Sequence, residues 1–569
     1  MHLTLSAGSV LVPVAYAVVF VLLLAPGYAA ARAIVRRFGF ERPATLAIAY
    51  AVVAVAGYAV FWCYFLKPEL GRLVSLGWIV AGFVALFVLW RERIPREEAI
   101  PLALTFAVGL FYLAVLYLPG TAIGAAQRFF VIRPQDNIIA QLFAEHLFQG
   151  ADLRHFLGDW TSSDRPPLQT AMLLLVRPVF SFLRVDVGIG YEIAGAVAQL
   201  AWLSAVWILC ARAGFSAVQR ALVVAFMVFS GFFLYNSVYV WPKLLAAGLC
   251  IGALSFAIAP PRLHRDAGLV LAGICAALAL LAHGSAVFFL APAFVLAVAS
   301  RRLPLERGLA LAAFAGVVLL VPWAAYQRYY DPPGDRLLKI HLAGINAVDP
   351  RPAAAAIEQT YAQTPGYQIL RNKLANVQTV LGGMPLLGSA TEGEPATGID
   401  RWRLYEREQV LYALGVLNAG WLVFPWWWFT ESRRAARPVD GVPSEARRSI
   451  GALVALAVTS TAVWCLVLWG PGTTVTTHSA YAVEALVFVA LAAAIAEVSV
   501  RLACVVLALA VADLAVTWIA GSLRDAWRVS PSIDPAMAVV ALLAAAAAGA
   551  LLVLGARTDE PAPGAVAAG

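Results

Sequence analysis

The sequence predicts an all-α protein that crosses a membrane many times. Of its 569 residues, 62% are hydrophobic and only 13% are charged, whereas an average soluble domain has about 25% charged residues. Apolar runs of roughly 17 to 25 residues recur along most of the chain, and each can cross a hydrocarbon core about 30 Å thick as a helix. Because these runs are continuous rather than alternating, the chain is predicted to be a helical, polytopic membrane protein.

Apolar segments divide the chain into regions. We predict about fifteen transmembrane helices, at residues 10–32, 44–66, 74–90, 100–120, 188–211, 217–236, 242–259, 267–282, 284–300, 307–327, 408–429, 449–469, 480–497, 501–520 and 536–556. The predicted regions are N-terminal spans (1–120), an outer loop (121–187), a transmembrane core (188–327), a large extracytoplasmic loop (328–407), C-terminal spans (408–556) and a disordered tail (557–569). Arginines follow the first apolar run and no basic residue directly precedes it, so we expect an uncleaved span with its N-terminus outside.

The segment 166–184 decides the topology. If it does not cross the membrane, the loops that hold most of the clustered arginines are all cytoplasmic, as the positive-inside rule favours; they are 33–43, 91–99, 212–220, 260–266, 301–307 and 430–448. The polar residues of 166–184 fall on one helical stripe, which predicts a helix lying on the outer membrane surface. Residues 137–150 show a similar stripe, and Gly150 is placed to end that helix.

Charge and cysteine usage exclude several classes of function. The formal net charge of +8 comes from short arginine clusters between apolar runs, which are topology signals, so we expect no nucleic-acid partner. The six cysteines lie in or beside apolar runs without C-x-x-C spacing, so neither a disulfide framework nor a thiol metal site is predicted. The short cytoplasmic loops carry no nucleotide-binding motif, and we expect no nucleotide substrate.

One outer stretch is polar in a chain that is otherwise mostly apolar: residues 135–169 read QDNIIAQLFAEHLFQGADLRHFLGDWTSSDRPPLQ. An acidic residue precedes an amphipathic helix that ends in glycine, and DRPPLQ then opens a second helix. This pattern resembles the first extracytoplasmic loop of GT-C-fold glycosyltransferases, which include protein O-mannosyltransferases, lipid A aminoarabinose transferases and arabinofuranosyltransferases. The resemblance covers about residues 130 to 330 and implies two juxtamembrane helices in this loop and a polyprenyl-phosphate sugar as donor.

The resemblance also implies roles for two residues. Asp136 matches the catalytic acidic position, and Arg165 matches the basic residue of the K-P-P-L motif of some members. The sequence departs from the family at Asn137, where several members have a second acid, and in three extra spans before the loop. No particular family within the fold is therefore assigned.

The carboxylates of this loop are the candidate catalytic groups. An acceptor hydroxyl must lose its proton as it attacks the anomeric carbon, and a positioned carboxylate can take that proton. We expect Asp136 to be this base, with Asp159 and Asp164 as alternatives. A single displacement of this kind inverts the anomeric configuration. The structural alternatives are a helix N-cap for Asp136 and a solvated turn for the other two.

Cations at the outer ends of spans are the candidates for the leaving phosphate, whose growing charge must be met by fixed donors. The predicted phosphate-binding residues are Arg165, Lys243, His478, Arg336 and Lys339. Lys243 follows Trp241 and Pro242. The alternative is therefore a structural lysine whose ammonium extends into water beside an interfacial aromatic residue. His478 has a helix-capping alternative. The predicted substrate-binding residues are Glu145, Trp160, Tyr239, His341 and Tyr481.

A metal site is not predicted. His146 and His155 with Asp152 and Asp159 could be imagined as ligands, but no D-x-D motif is present. Some GT-C enzymes use a divalent cation and others do not, so the resemblance leaves that cofactor open.

Together these residues predict a glycosyltransferase of the cytoplasmic (inner) membrane. It would move a sugar from a polyprenyl-phosphate donor to a cell-envelope glycan, lipid or protein, at a site facing the periplasm or cell exterior. One alternative is a transporter or flippase of lipid-linked sugars, which Glu192, Glu484 and Asp513 within or near spans keep open. Another is an O-antigen-ligase-like transferase that uses a diphosphate-linked donor.

Overall fold

The protein is described from a computed structural model. The model describes residues 2–3, 7–119, 135–154, 156, 158–258, 265–300, 307–381, 402–403, 406, 410–435, 445–470, 480–521, 523 and 532–557. Almost all of this structure is helical. Two strands of two residues each, β1 (His2–Leu3) and β2 (Ser532–Ile533), pair in parallel.

The N-terminal half forms a bundle of long and short helices. In chain order they are α1 (Ala7–Phe38), α2 (Thr45–Leu66), α3 (Pro68–Arg91), α4 (Arg96–Leu116), α5 (Ile139–Gln149), α6 (Leu168–Leu183), α7 (Val187–Gln199), α8 (Ala201–Arg212), α9 (Ala217–Val228), α10 (Gly231–Val238), α11 (Lys243–Ile258) and α12 (Arg265–Ala282). Short 3₁₀ turns lie at Arg42–Ala44, Gln135–Ile138, Ser162–Asp164 and Gly284–Ala286.

The C-terminal half adds further helices to this bundle. They are α13 (Val287–Ala299), α14 (Arg307–Ala325), α15 (Arg336–Ala343), α16 (Ala353–Gln363), α17 (Gly366–Leu381), α18 (Val410–Ala413), α19 (Gly420–Ala435), α20 (Glu445–Val467), α21 (Ala480–Val498), α22 (Val500–Leu514) and α23 (Pro535–Ala556). A 3₁₀ turn lies at Gly415–Ala419, and π-helical turns follow α14 (Tyr326–Tyr330) and α22 (Ala515–Ala520).

Many of these helices can cross a membrane, so the predicted all-α polytopic class is confirmed. Within the described residues, eleven helices are long and apolar enough, or twelve if α9 and α10, bent by 60°, form one span. The fifteen segments predicted from sequence all contain apolar helices. Three of them fall short of a full span in the described residues: α11 and the segment Gly284–Ala299 are shorter apolar helices, and α19 follows a 3₁₀ turn.

An ion pair tests whether 166–184 crosses the membrane. The guanidinium of Arg212, at the end of α8, lies 2.8 Å from the Glu41 carboxylate, just before α2. Between them the described chain has four candidate spans, formed by α2, α3, α4 and the α7–α8 segment. A fifth crossing by α6 would place Glu41 and Arg212 at opposite ends, so this ion pair favours the topology in which 166–184 does not cross, and that topology stays a prediction.

The same guanidinium fixes the position of α11. Arg212 donates to the carbonyl of Ser255, near the end of α11, at 2.7 Å. Since α11 rises about 1.5 Å per residue, its first residue, Lys243, lies about 18 Å from Ser255 along the helix, on the side of the bundle away from Glu41. We call the two ends the Glu41 end and the Lys243 end.

Most of the polar stripe of α6, which led to the prediction of a helix on the membrane surface, is buried inside the protein. Gln169, Thr170 and Arg177 of its polar stripe are buried, because neighbouring helices supply partners: α6 packs against α2, α3, α5 and α7. Thr170 donates to the carbonyl of Ala140, and Arg177 pairs with Glu145 at 2.5 Å. The predicted end of α5 is confirmed, since Gly150 adopts a left-handed φ of 73°.

Candidate functional site

Lys243 begins α11 and is buried, with only 2% of its surface exposed. Its ammonium lies 3.4 Å from the ring centre of Trp241 and 5.5 Å from that of Tyr481. An aromatic face attracts a cation through its quadrupole, more strongly where water is excluded. The geometry therefore argues against a lysine that extends into water and for a cation held inside the protein.

The turn before Lys243 has an unusual backbone. Val240 has a φ of 60°, a left-handed conformation that a β-branched residue rarely adopts. Its carbonyl accepts a hydrogen bond from the amide of Gln169 at 2.5 Å. A methyl group added to Gly195 would lie 1.8 Å from Cγ1 of Val240, so the Val240 side chain already occupies that space. Residues held in such conformations cluster at functional sites.

A buried amide network fixes this turn to α6 and α7. Gln199 donates to the side-chain oxygen of Gln169 at 2.9 Å and accepts from the backbone N–H of Leu245 at 2.9 Å. Gln169 also donates to the Tyr191 hydroxyl at 2.7 Å. Both amides are almost fully buried, and a satisfied buried network specifies one arrangement of the groups that it joins. The start of α11 is thus positioned by side chains from two other helices.

The segment that carries Asp136 lies against the same turn. Asn137 donates to the carbonyl of Tyr239 at 3.0 Å, and the Tyr191 hydroxyl donates to the carbonyl of Asn137 at 2.8 Å. Asp136 is in the 3₁₀ turn Gln135–Ile138, but its side chain lies outside the described residues, as does all of His478. The predicted base and the predicted cation Lys243 therefore belong to adjoining backbone segments.

A second group surrounds Trp160, which begins the loop before α6. The guanidinium carbons of Arg165 and Arg336 lie 4.8 Å and 4.7 Å from its ring centre. Arg336 also binds Asp159, through the carboxylate at 2.6 Å and the carbonyl at 2.6 Å. Two predicted phosphate-binding residues thus share one indole ring, and one of them is already bound to the exposed Asp159.

Asp164 is buried beside this group. Its carboxylate accepts from the backbone N–H of Thr161 at 2.9 Å and lies 3.6 Å from Arg336. Burial raises the pKa of Asp164 above its usual range, while the Thr161 hydrogen bonds and the charges of Arg336 and Arg165 oppose that rise. Because Asp164 closes a capping box with Thr161, its contacts favour a structural role over a catalytic one.

Hydrogen bonds join the loop before α6 to the segment after α14. The Asp331 carboxylate accepts from the Ser162 hydroxyl at 2.7 Å and the Ser163 backbone N–H at 2.8 Å. The Gln327 amide donates to the carbonyl of Ser163 at 3.0 Å. Asp331 is buried, so these contacts fix the two outer segments to each other.

His283 belongs to the site, although the sequence analysis did not select it. Burial lowers the pKa of His283 well below its usual range, and the positive charges of Lys243, Arg165 and His341 lower it further. Two predicted phosphate-binding residues and the predicted substrate-binding residue His341, from distant parts of the chain, therefore act on the charge of this imidazole. Its Nδ1 lies 2.7 Å from the Ser285 hydroxyl. The only signal in the sequence was a histidine directly after an apolar run, in LLAHGSA.

Two predicted site residues instead form ion pairs within the fold. Lys339 is buried, pairs with Asp335 at 2.7 Å and donates to the carbonyl of Asp349 at 2.7 Å. Glu145 binds Arg177 with both carboxylate oxygens. These contacts assign Lys339 to the α15–α16 connection and Glu145 to the α5–α6 contact.

Tyr481 and Tyr239, but not His341, have contacts that place them near Lys243. The Tyr481 hydroxyl donates to the Asn236 side chain at 2.6 Å, and Tyr239 is buried with its ring 5.7 Å from that of Trp241. The carbonyl of His341 accepts from the backbone N–H of Trp469 at 2.8 Å. Tyr239 and Tyr481 thus belong to the aromatic surroundings of the buried ammonium.

An apolar groove lies between α11, α12, α13 and α14, and its α11 lining, from Ala253 to Ile258, is at the end of that helix near Ser255. Its volume is about 370 Å³, and it is lined only by apolar residues and glycines, among them Leu254, Ala276, Leu280, Phe289 and Val317. Phe289 also lines a narrow pocket of about 10 Å³ that includes Lys243, Ser285 and Tyr481. The buried cation and the groove are therefore neighbours, joined at Phe289.

Neither a metal centre nor a relative identifies the site. Across the described part of the chain, no group of three or more His, Cys, Asp or Glu could hold a metal ion. Comparison of the chain with protein-family models, with curated proteins and with solved structures found no match. The residues around Lys243 and their geometry are therefore the basis for assigning a function.

Proposed function

We propose that the protein is a membrane glycosyltransferase that moves a sugar from a polyprenyl-phosphate donor to a cell-envelope glycan, lipid or protein. The observation that carries this proposal is the buried Lys243 ammonium, whose small pocket is separated from an apolar groove by Phe289. A polyprenyl phosphate needs both features, because its chain is hydrocarbon and its headgroup is anionic. In this proposal the Lys243 end faces the periplasm or cell exterior.

The chemistry assigned to the site is one displacement. The Asp136 carboxylate takes the proton of the acceptor hydroxyl as that oxygen bonds to the anomeric carbon. The bond from the anomeric carbon to the phosphate oxygen breaks with its electron pair, and the polyprenyl phosphate leaves with inversion at the sugar. Lys243 and Arg165 meet the charge that grows on the phosphate. The neutral His283 imidazole accommodates this cationic group without adding another charge.

The donor must displace side chains to reach Lys243. The pocket of about 10 Å³ beside the ammonium has room for about one water molecule, so a phosphate enters it only when a neighbour moves. Tyr481 lines the pocket and begins the span Tyr481–Val498. We assign it the role of a gate whose rotation opens the pocket to the headgroup.

The test is sugar transfer by the purified protein in lipid vesicles, with radiolabelled polyprenyl-phosphate sugars and an envelope extract as acceptor. We expect Asp136→Asn to reduce transfer by about 10²- to 10⁴-fold, as loss of a general base does. Lys243→Gln should reduce it by about 10²- to 10³-fold. Lys373→Gln is the matched control: Lys373 also lies at the Lys243 end, but it donates to the carbonyl of Leu468.

Transfer that survives Asp136→Asn would contradict the assigned base. Equal losses in Lys243→Gln and Lys373→Gln would contradict a phosphate-binding role for Lys243, because the two variants remove the same charge at different places.

A lipid-linked sugar flippase is the second candidate. Glu406 is buried against the Ser230–Gly231 break between α9 and α10, where its carboxylate accepts from the indole N–H of Trp518 at 2.7 Å. Burial raises the pKa of Glu406, and the charge of Asp513 raises it further. Buried acids beside a helix break are typical of transporters. Donor scrambling across vesicles without sugar transfer would favour this candidate.

A further inference from the structure

The helix α17 has its polar face turned inward and its apolar face turned outward. Tyr367, Leu370, Leu374 and Val377 are exposed by 74%, 61%, 61% and 40%. Their spacing of three or four residues places them along one side of the helix. A helix in water normally buries such a stripe, so the surroundings of this face cannot be ordinary solvent.

The inward face is polar because it completes the end of another helix. Asn376 is fully buried and donates to the carbonyls of Cys465 and Leu468 at 3.1 Å and 2.9 Å. Lys373 donates to the carbonyl of Leu468 at 2.5 Å. The last carbonyls of a helix have no partner within it, and those of α20 are bonded by α17 instead.

The contacts also give the direction of α17. Asn372 lies against Gly470, beyond the end of α20, since a methyl group on Gly470 would be 3.3 Å from it. One turn later, Asn376 reaches Cys465, inside the candidate span Glu445–Val467. The helix α17 therefore runs alongside the last turn of α20, and each successive residue of α17 lies further along the candidate span Glu445–Val467, away from its Gly470 end.

The exposed stripe of α17 lies next to another apolar surface. Val458 and Leu466 of α20 are exposed by 63% and 67%, as expected for a helix that faces lipid. Because Asn376 and Lys373 hold α17 against the last turn of α20, Leu374 and Val377 lie at about the depth of Leu466.

We propose that α17 is embedded in the lipid leaflet at the Lys243 end, with acyl chains covering Leu370, Leu374 and Val377. This inference does not depend on the proposed sugar transfer. It differs from the sequence-based expectation that residues 328–407 form an extracytoplasmic loop, because it places part of that region in the bilayer. The exposed Arg371 on the same helix can reach the headgroups with its long side chain.

Fluorescence quenching of the full chain in phosphatidylcholine vesicles tests this proposal. In a Cys63→Ser/Cys504→Ser background, single cysteines replace Leu370, Leu374 or Val377 and carry an environment-sensitive label. Val458→Cys is the lipid-facing control, and Gln363→Cys, at the exposed last residue of α16, is the water-facing control. The quenchers are spin-labelled lipids and aqueous iodide.

We expect the three α17 labels to be quenched by the lipid probe as strongly as the Val458 label, within about twofold. The depth of strongest quenching should increase from Leu370 to Val377. Iodide quenching like that of the Gln363 label would overturn the proposal, and so would protection from both quenchers, since protein would then cover the stripe. If the Val377 variant fails to fold, the Leu370 and Leu374 labels decide the outcome.

Discussion

Three ion pairs near Glu41 can be compared with the two cations beside Trp241 and Trp160. At the Glu41 end, Arg32 pairs with Glu98 at 2.8 Å, Arg212 with Glu41 at 2.8 Å and Arg447 with Glu497 at 3.1 Å. Around Lys243 and Arg165, aromatic rings lie against the cations. A carboxylate fixes a cation within the fold, whereas an aromatic face stabilises a cation through its ring quadrupole.

The largest expected effect concerns the ion pairs of the Glu41 end. Arg32→Met leaves Glu98, whose side chain is 6% exposed, as a buried charge without its partner. Breaking such a pair costs about 3 to 5 kcal/mol, so the thermal unfolding temperature in detergent should fall by several degrees. Transfer activity per folded molecule should stay unchanged, because Arg32 is remote from Lys243.

Arg36→Met is the matched control for Arg32→Met. Arg36 pairs with Glu92 at 3.5 Å, but its side chain is 63% exposed, and exposed pairs contribute only about 0 to 1 kcal/mol. If both variants unfolded at the same temperature, the buried Arg32–Glu98 pair would not stabilise the fold more than an exposed pair does. The ion pairs near Glu41 would then have no structural role to compare with the cations beside Trp241 and Trp160.

The second effect concerns the shape of the Lys243 end. Gly195→Ala puts a methyl group 1.8 Å from Cγ1 of Val240, and overpacking of this kind costs about 2 to 3 kcal/mol. Because Val240 is in the turn that positions Lys243, transfer per folded molecule should fall as well. Melting curves and transfer assays on the same samples separate the two losses.

Two variants sharpen this test. The double variant Gly195→Ala/Val240→Ala removes the colliding Cγ1 and should recover about half of the lost stability. Gly77→Ala, in α3, meets no atom within 4 Å and should leave transfer unchanged, since alanine suits a helix better than glycine. A loss of transfer in Gly77→Ala would mean that the assay responds to general perturbation rather than to this turn.

Features that depend on a single helix could be predicted from the sequence. The span predicted at 307–327 corresponds to the helical segment Arg307–Tyr330, because length and hydropathy alone decide such a helix. The glycine that ends α5 could also be predicted, since only a left-handed residue is needed there. Lys243 could be selected because a lysine after Trp-Pro at the end of a span is unusual.

Features that depend on two or more segments could not be predicted. The polar stripe of α6 indicated a surface helix, since a helical wheel does not reveal that Gln199 and Tyr191 of α7 satisfy Gln169 inside the protein. The positive φ of Val240 results from that same network and has no local signal in the sequence. His283 could not be selected from the sequence, because the residues whose charges act on it, Arg165, Lys243 and His341, come from distant parts of the chain.

The smallest expected effect distinguishes Asp164 from the ion-paired acids of the Glu41 end. Its folded pKa is raised above 3.8 by burial. A raised pKa means that the protonated form is favoured in the fold, so the contribution of Asp164 to stability is greatest below pH 3.8 and falls as the pH rises through the folded pKa. Asp164→Asn cannot ionise and escapes this loss. Relative to the wild type, the variant should therefore gain stability as the pH rises from about 3.5 to 7.

Unfolding temperatures of the two proteins across this pH range measure that gain. If Arg336 and Arg165 outweighed burial, the pKa would instead be lowered, and the variant would lose stability relative to the wild type as the pH rose. Asp164 would then be an ion-paired acid like Glu98, and the site would resemble the Glu41 end in this respect. The sign of the difference, rather than its size, therefore decides whether burial or the charges of Arg336 and Arg165 govern the Asp164 carboxylate.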